Sequence, residues 1–214
     1  MAMRKVFGVR PYHENDSRRQ GHRPVQRNFL IVCEGEKTEP NYFMEIKRRM
    51  KSGAGSKVEV VGAGAHTRDL LDCARAAIAK RRAEGLPMYY HIWLVFDKDS
   101  FEADDFDNTI KVVESENWHA AWSNEAFELW YLLHFQDVTG GALPREQMFE
   151  MLGNHFGDGY RKNDEGVFER VKEHSYHAIE RARRLSDRWQ GYPPHQANPC
   201  TTVGILVENL LKYT

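Results

Sequence analysis

His91–Ser100, HIWLVFDKDS, is an apolar run that stops at two aspartates flanking a lysine. Ile92, Trp93, Leu94, Val95 and Phe96 form a short continuous apolar stretch, which suits a strand covered on both faces in a parallel sheet. Asp97 and Asp99 then fall just past its carboxyl end, where open α/β sheets place their sites. Residues two apart in an extended chain point the same way, so the two carboxylates can converge on one object while Lys98 turns away. Like charges held that close repel unless a cation lies between them, and a divalent metal is the usual answer.

Working outward, Asn28–Cys33 is a second apolar run, and it leads straight into Glu34-Gly35-Glu36-Lys37-Thr38-Glu39-Pro40. Gly35 permits a tight turn, and Pro40 fits the first turn of a helix that carries Tyr42, Phe43, Ile46 and Met50 at helical spacing. Lys57–Val61 reads as a strand, and a helix capped at Thr67 ends at Gly85 and Pro87. A helix from about Asp104 to Ser115, a strand at His119–Trp122 and a helix over Glu125–Phe135, capped by Ser123 or Asn124, complete an alternation of strand and helix. That alternation implies a mostly parallel sheet flanked by helices. Trp130, Tyr131 and Phe135 are expected in its core. After Gly140-Gly141 no strand signal remains. Pro144 opens a helix to about His155, Val167–Trp189 reads as one long charged helix, and Thr202–Lys212 as a last amphipathic one. The expected division is a basic arm over 1–27, an α/β domain over 28–140 and a helical C-terminal extension over 141–214, packed on the sheet domain.

The 214 residues suffice for one good core with an appendage. Thirty Lys and Arg against 31 Asp and Glu give a net charge of -1, so a nucleic-acid partner must be met by a local patch rather than a global field. Cys33, Cys73 and Cys200 are odd in number and lack CxxC spacing, which argues against a disulfide framework and suits a reducing cytoplasm. No apolar run approaches the ~20 residues of a membrane span, so a cytoplasmic protein without a membrane partner is expected. The best candidates for contacts with phosphates are Arg181, Arg184 and Arg188, which nearby acids do not balance. Arg161 and Lys162, in the polar loop with Tyr160, join them, as does Lys37 in the acidic turn.

In a parallel sheet all strand ends of one kind share an edge, so acids distant in sequence can meet. Glu34 follows the first strand, Asp97 and Asp99 the third, and Glu125 and Glu128, sharing a helix face, follow the fourth. Such a carboxylate set suits Mg2+ or Mn2+, hard cations that take oxygen ligands and can serve phosphodiester cleavage. Glu36 and Glu39 read as capping or solvated acids. A common ion demands that Glu34 lie near the DKD pair, since more than ~10 Å is too far for even a water-bridged ion.

At these residues the chain resembles a known family. CEGEKTEPNYF at 33–43, VFDKDSF at 95–101, SNEAFELWYLLHF at 123–135 and NPCTTV at 198–203 occur in an order similar to that of the RloB family, proteins encoded beside bacterial type I restriction systems and related to the TOPRIM fold. The resemblance implies a TOPRIM-like metal-dependent nuclease acting on RNA or DNA in phage defence, as in the overcoming-lysogenization-defect nucleases. It assigns Glu34 as general acid/base or metal-shaping carboxylate and Asp97 and Asp99 as metal ligands, with Glu128 and Glu125 as further acids of the metal site. The crowding of Glu36 and Glu39 beside Glu34 departs from the simplest TOPRIM pattern and leaves open which glutamate carries the chemistry. A non-catalytic sensor or partner subunit of a defence complex is the alternative, and both a protein partner and self-association suit either reading.

Overall fold

The computed structural model describes residues 27–50, 57–64, 67–98 and 101–212. The arm expected over 1–27 lies outside them except for Arg27, and Asp99 lies outside them as well. Strands β1 (Phe29–Cys33), β2 (Val58–Gly62), β3 (His91–Asp97) and β4 (His119–Asn124) alternate with helices α1 (Thr38–Arg49), α2 (Thr67–Ala83) and α3 (Ala103–Ser115). After β4 come α4 (Glu128–Leu132), α5 (Arg145–Phe156), α6 (Val167–Val171), α7 (Ser175–Arg188), the short strand β5 (Cys200–Thr201) and α8 (Val203–Leu211). The sheet order is β2-β1-β3-β4-β5, with parallel pairing throughout except at β4–β5. This is the α/β class expected, a mostly parallel sheet flanked by helices.

Strand alternation divides the core in two. Phe29, Ile31, Cys33, Trp93, Val95 and Ala121 face one way and pack with α1 and α4 to α8. Leu30, Val32, Leu94, Phe96, Ala120 and Trp122 face the other way and pack with α2 and α3. With helices on both faces, β1 and β3 bury almost every side chain, which is why they read as unbroken apolar runs. Trp130 and Tyr131 are buried in the first cluster, and Phe135 packs against it partly covered.

Three expectations change. A strand exists beyond Gly140: β5 pairs with the end of β4. Just past it the Trp122 N–H donates to the Thr202 hydroxyl at 2.9 Å and the Thr202 N–H to the Trp122 carbonyl at 2.9 Å. A strand of 2 residues is too short for a hydrophobic period, so it leaves no pattern to read. The helix expected from Glu125 begins at Glu128, because β4 runs on to Asn124. Asn124 does not cap a helix; its amide donates to the carbonyls of Pro194 and His195. The helix expected over Val167–Trp189 is broken by a single 3-10 turn at Lys172–His174. Among the described residues no helix is long and apolar enough to cross a membrane.

Residues beyond 140 therefore supply a strand and share the main core. Gly204, at the start of α8, marks how tightly they fit: a Cβ there would stand 3.2 Å from the Ala182 Cβ and 3.3 Å from the Trp130 ring. Ala182 is fixed on α7 and Trp130 is fully buried, so neither can give way. Gly204→Val is expected to cost about 3 kcal/mol through overpacking, roughly 6–12 °C in Tm by calorimetry for a chain of this size. A change of less than about 1 °C would show the α7–α8 contact to be loose.

Candidate functional site

The site is built by the register of β1 and β3. The Glu34 N–H donates to the Val95 carbonyl at 2.9 Å, extending the ladder one residue past β1. The Glu34 carboxylate thereby reaches the end of β3, where Oε2 accepts the Asp97 backbone N–H at 3.2 Å. Asp97 closes β3 and has the same parity as Trp93 and Val95, so it faces α1 and α4. Its Oδ2 lies 3.2 Å from Nη2 of Arg145, the first residue of α5.

Two more acids come to the same place. Glu39, in the first turn of α1, is buried with its carboxylate directly against Gly35, so that a Cβ on Gly35 would make the end of the Glu39 side chain shift. Glu128 opens α4, is 1% exposed, and accepts the Tyr160 hydroxyl at 2.9 Å. Glu34, Glu39, Asp97 and Glu128 line one cavity of about 680 Å³ together with Lys37, Arg145 and Lys162. The start of α1 is clamped from outside: Tyr131 donates to the Thr38 carbonyl at 3.2 Å, and the Thr38 hydroxyl to Asn163 Oδ1 at 2.9 Å.

Burial, reinforced by the charges of Glu128 and Glu34, pushes the Glu39 carboxyl up to about 7, although a hydrogen bond to its own backbone and the nearby Lys162 work the other way. Burial first and the Glu128 charge second hold the Tyr160 phenol far above its ordinary range, so it stays a donor to Glu128. The cavity thus concentrates negative charge in a partly desolvated space.

Of the acids singled out in the sequence, Glu34, Asp97 and Glu128 meet here, whereas Glu125 is half-buried and does not line the cavity. Lys98 donates its ammonium to the Phe101 carbonyl at 2.7 Å and is likewise no part of the lining. Among the described residues no three His, Cys, Asp or Glu side chains stand grouped as metal donors; Asp99 is not among those residues. Glu39, expected as a capping or solvated acid, is buried in the wall. Sequence reasoning misses Arg145 altogether, although a cation at a helix start, against the helix dipole, is a signal that could find it.

Lys37 and Lys162 line the cavity, and Arg161 is exposed outside it. The expectation that acids leave the arginines of α7 unbalanced is corrected for Arg184 and Arg181, which both reach Asp137, while Arg188 meets carbonyls. Arg184 pairs with Asp137 at 2.6 Å, Arg181 donates to the carbonyls of Leu133 and His134 at 2.8 and 2.9 Å, and Arg188 donates to those of Val138 and Gly140 at 3.2 Å. Asp137 stands 47 residues before Arg184 in the chain, so the acids neighbouring α7 in sequence do not reveal the pairing.

The family model for RloB-like proteins matches residues 29–210, which includes every residue of the cavity. The chain belongs to the RloB-like family. No curated protein matches it.

In this RloB-like chain the Glu39 carboxyl has a folded-state pKa of about 7 against an ordinary 4.5. The folded state therefore binds more protons between those values, and the stability this contributes is full below about 4.5 and lost as pH rises through about 7. Glu39→Gln mimics the protonated form. In chelator, its unfolding free energy from urea melts should fall less between pH 5 and pH 8 than that of the unaltered chain, by up to about 1.4 kcal/mol per pH unit in that window. A variant less stable than the parent at pH 8 would contradict this origin of the shift.

Proposed function

We propose that this RloB-like protein is a metal-dependent nuclease, hydrolysing phosphodiester bonds of RNA or DNA in bacterial anti-phage defence. The observation that carries the reading is the 3.2 Å contact of the Glu34 carboxylate with Asp97 at the end of β3, inside a cavity that also holds Glu39 and Glu128. The donor chemistry fits Mg2+ or Mn2+: every candidate ligand is a carboxylate oxygen, and burial with crowding already raises the Glu39 pKa. Asp97, Asp99 and Glu128 would hold the ion, with Glu34 as ligand or proton acceptor. When bound, such an ion supplies an activated water and charge neutralisation at the phosphate. The protein's own part is to orient Glu128 through the Tyr160 hydroxyl and to offer Lys37 and Lys162 to the phosphates of a strand. The defence role rests on the family and on the likeness of its motifs.

A second reading, a non-catalytic sensor or partner subunit of a defence complex, is favoured by one observation. Asp97 is already neutralised by Arg145 at 3.2 Å, so part of the acidic charge is balanced within the chain. The two readings separate on purified protein mixed with RNA and DNA in Mn2+ or in chelator. A nuclease cuts only with metal, and Asp97→Ala or Asp99→Ala lowers the rate roughly 100-fold or more while Glu125→Gln stays within about threefold. Absence of cutting together with absence of Mn2+ binding by calorimetry favours the subunit.

A further inference from the structure

Arg145 is the residue of this cavity that its own helix does least to explain. It opens α5, where the backbone N–H groups already concentrate positive charge, and only Glu146 in that turn suits the dipole. Its guanidinium nevertheless points into the cavity and pairs with Asp97 at 3.2 Å, with the Arg145 side chain 25% and the Asp97 side chain 10% exposed. Pro144, extended at φ -62 and ψ 150, ends the preceding loop and sets where Arg145 begins. A carboxylate so little solvated needs a counter-charge, and Arg145 supplies it.

We propose that Arg145 is a built-in counter-cation that sets the divalent-ion affinity of the acidic cavity. The inference rests on the reading of Asp97 as a metal ligand. A divalent ion at Asp97 and a guanidinium on the same carboxylate are two cations a few ångströms apart in a partly desolvated space, where their repulsion is poorly screened. Either the guanidinium leaves Asp97 or the ion binds beside it at reduced affinity. Both routes close the same thermodynamic cycle: whatever the pair contributes to the metal-free protein is subtracted from ion binding. Lys37 and Lys162 share the lining but are exposed residues, so solvent screens them more. Arg145 thus raises the cation concentration at which the site fills, and in the metal-free cavity it offsets the charge of Asp97.

The test uses the full chain, with MnCl2 titrated by calorimetry and Tm read in chelator and in Mn2+. Arg145→Gln should bind Mn2+ about tenfold more tightly than the parent, equivalent to about 1.4 kcal/mol. Arg145→Lys, which keeps the charge, should stay near the parent. In chelator Arg145→Gln should melt lower, because Asp97 has lost its counter-charge, and Mn2+ should raise its Tm by more than it raises the parent's. Arg145→Met keeps the apolar stem, serves if the glutamine variant does not fold, and carries the same expectation. Unchanged or weaker Mn2+ binding in the charge-removed variant, alongside loss of binding in Asp97→Asn, overturns the role of Arg145 and leaves Asp97 a ligand. Undiminished binding in Asp97→Asn, or no binding by any of these proteins, overturns both.

Discussion

One hydrogen bond joins the two halves of the candidate site: the Asp97 N–H to the Glu34 carboxylate at 3.2 Å. It exists because β1 and β3 are adjacent and parallel, with Cys33 opposite Val95, so that the residue after one strand meets the last residue of the next but one in sequence. An antiparallel pairing would put those ends at opposite edges of the sheet. The buried faces of β1 and β3 hold this register, since a slip of one residue would exchange the side chains of the two cores. The apolar runs thus do two things, making the core and bringing the carboxylates together.

Once assembled, the acids need compensation, and the chain distributes it unevenly. Glu34 accepts a backbone N–H, Glu128 accepts a phenol that burial keeps protonated, and Asp97 takes a guanidinium. Glu39 has the least of this help relative to its burial and answers by holding its proton to about pH 7. The four carboxylates are therefore not interchangeable donors. This difference follows from which element covers each one, and it bears on the question of which glutamate beside Gly35 matters: all three line the cavity, but Glu36 is exposed beside Gly64, Glu34 is half-buried and Glu39 is buried.

What could be read from the sequence follows the range of the forces involved. β1 and β3 announce themselves because burial on both faces writes an unbroken apolar run, the helices because one buried face writes a helical period, and Glu34, Asp97 and Glu128 were legible because strand ends in a parallel sheet share an edge. β5 was not legible, since Cys200 and Thr201 are a strand only by virtue of their pairing with β4, where Thr201 bonds to Ser123 and Trp122 across 78 and 79 residues of chain. Glu39 looked solvated because the cover over the start of α1 arrives from far downstream, Tyr131 and Asn163 lying 93 and 125 residues beyond Thr38. Arg145 was hidden for the same reason: an ion pair 48 residues apart has no period.

The arginines of α7 acquire a meaning from that last pair. Their guanidiniums bind the carbonyls of Leu133, His134, Val138 and Gly140 and the carboxylate of Asp137, tying down the loop that runs from α4 to Pro144. Arginine suits this task, since its planar fork can serve two carbonyls at once where an ammonium acts as a point charge. α7 in turn is fixed by α8 across the close contact at Gly204, and α8 follows directly from β5 on the edge of the sheet. The position of Arg145 against Asp97 is thus determined from both sides, by β3 through the parallel register and by the C-terminal third through the tethered loop. A segment that reads as a helical appendage is, in packing terms, the part that places the cation among the acids.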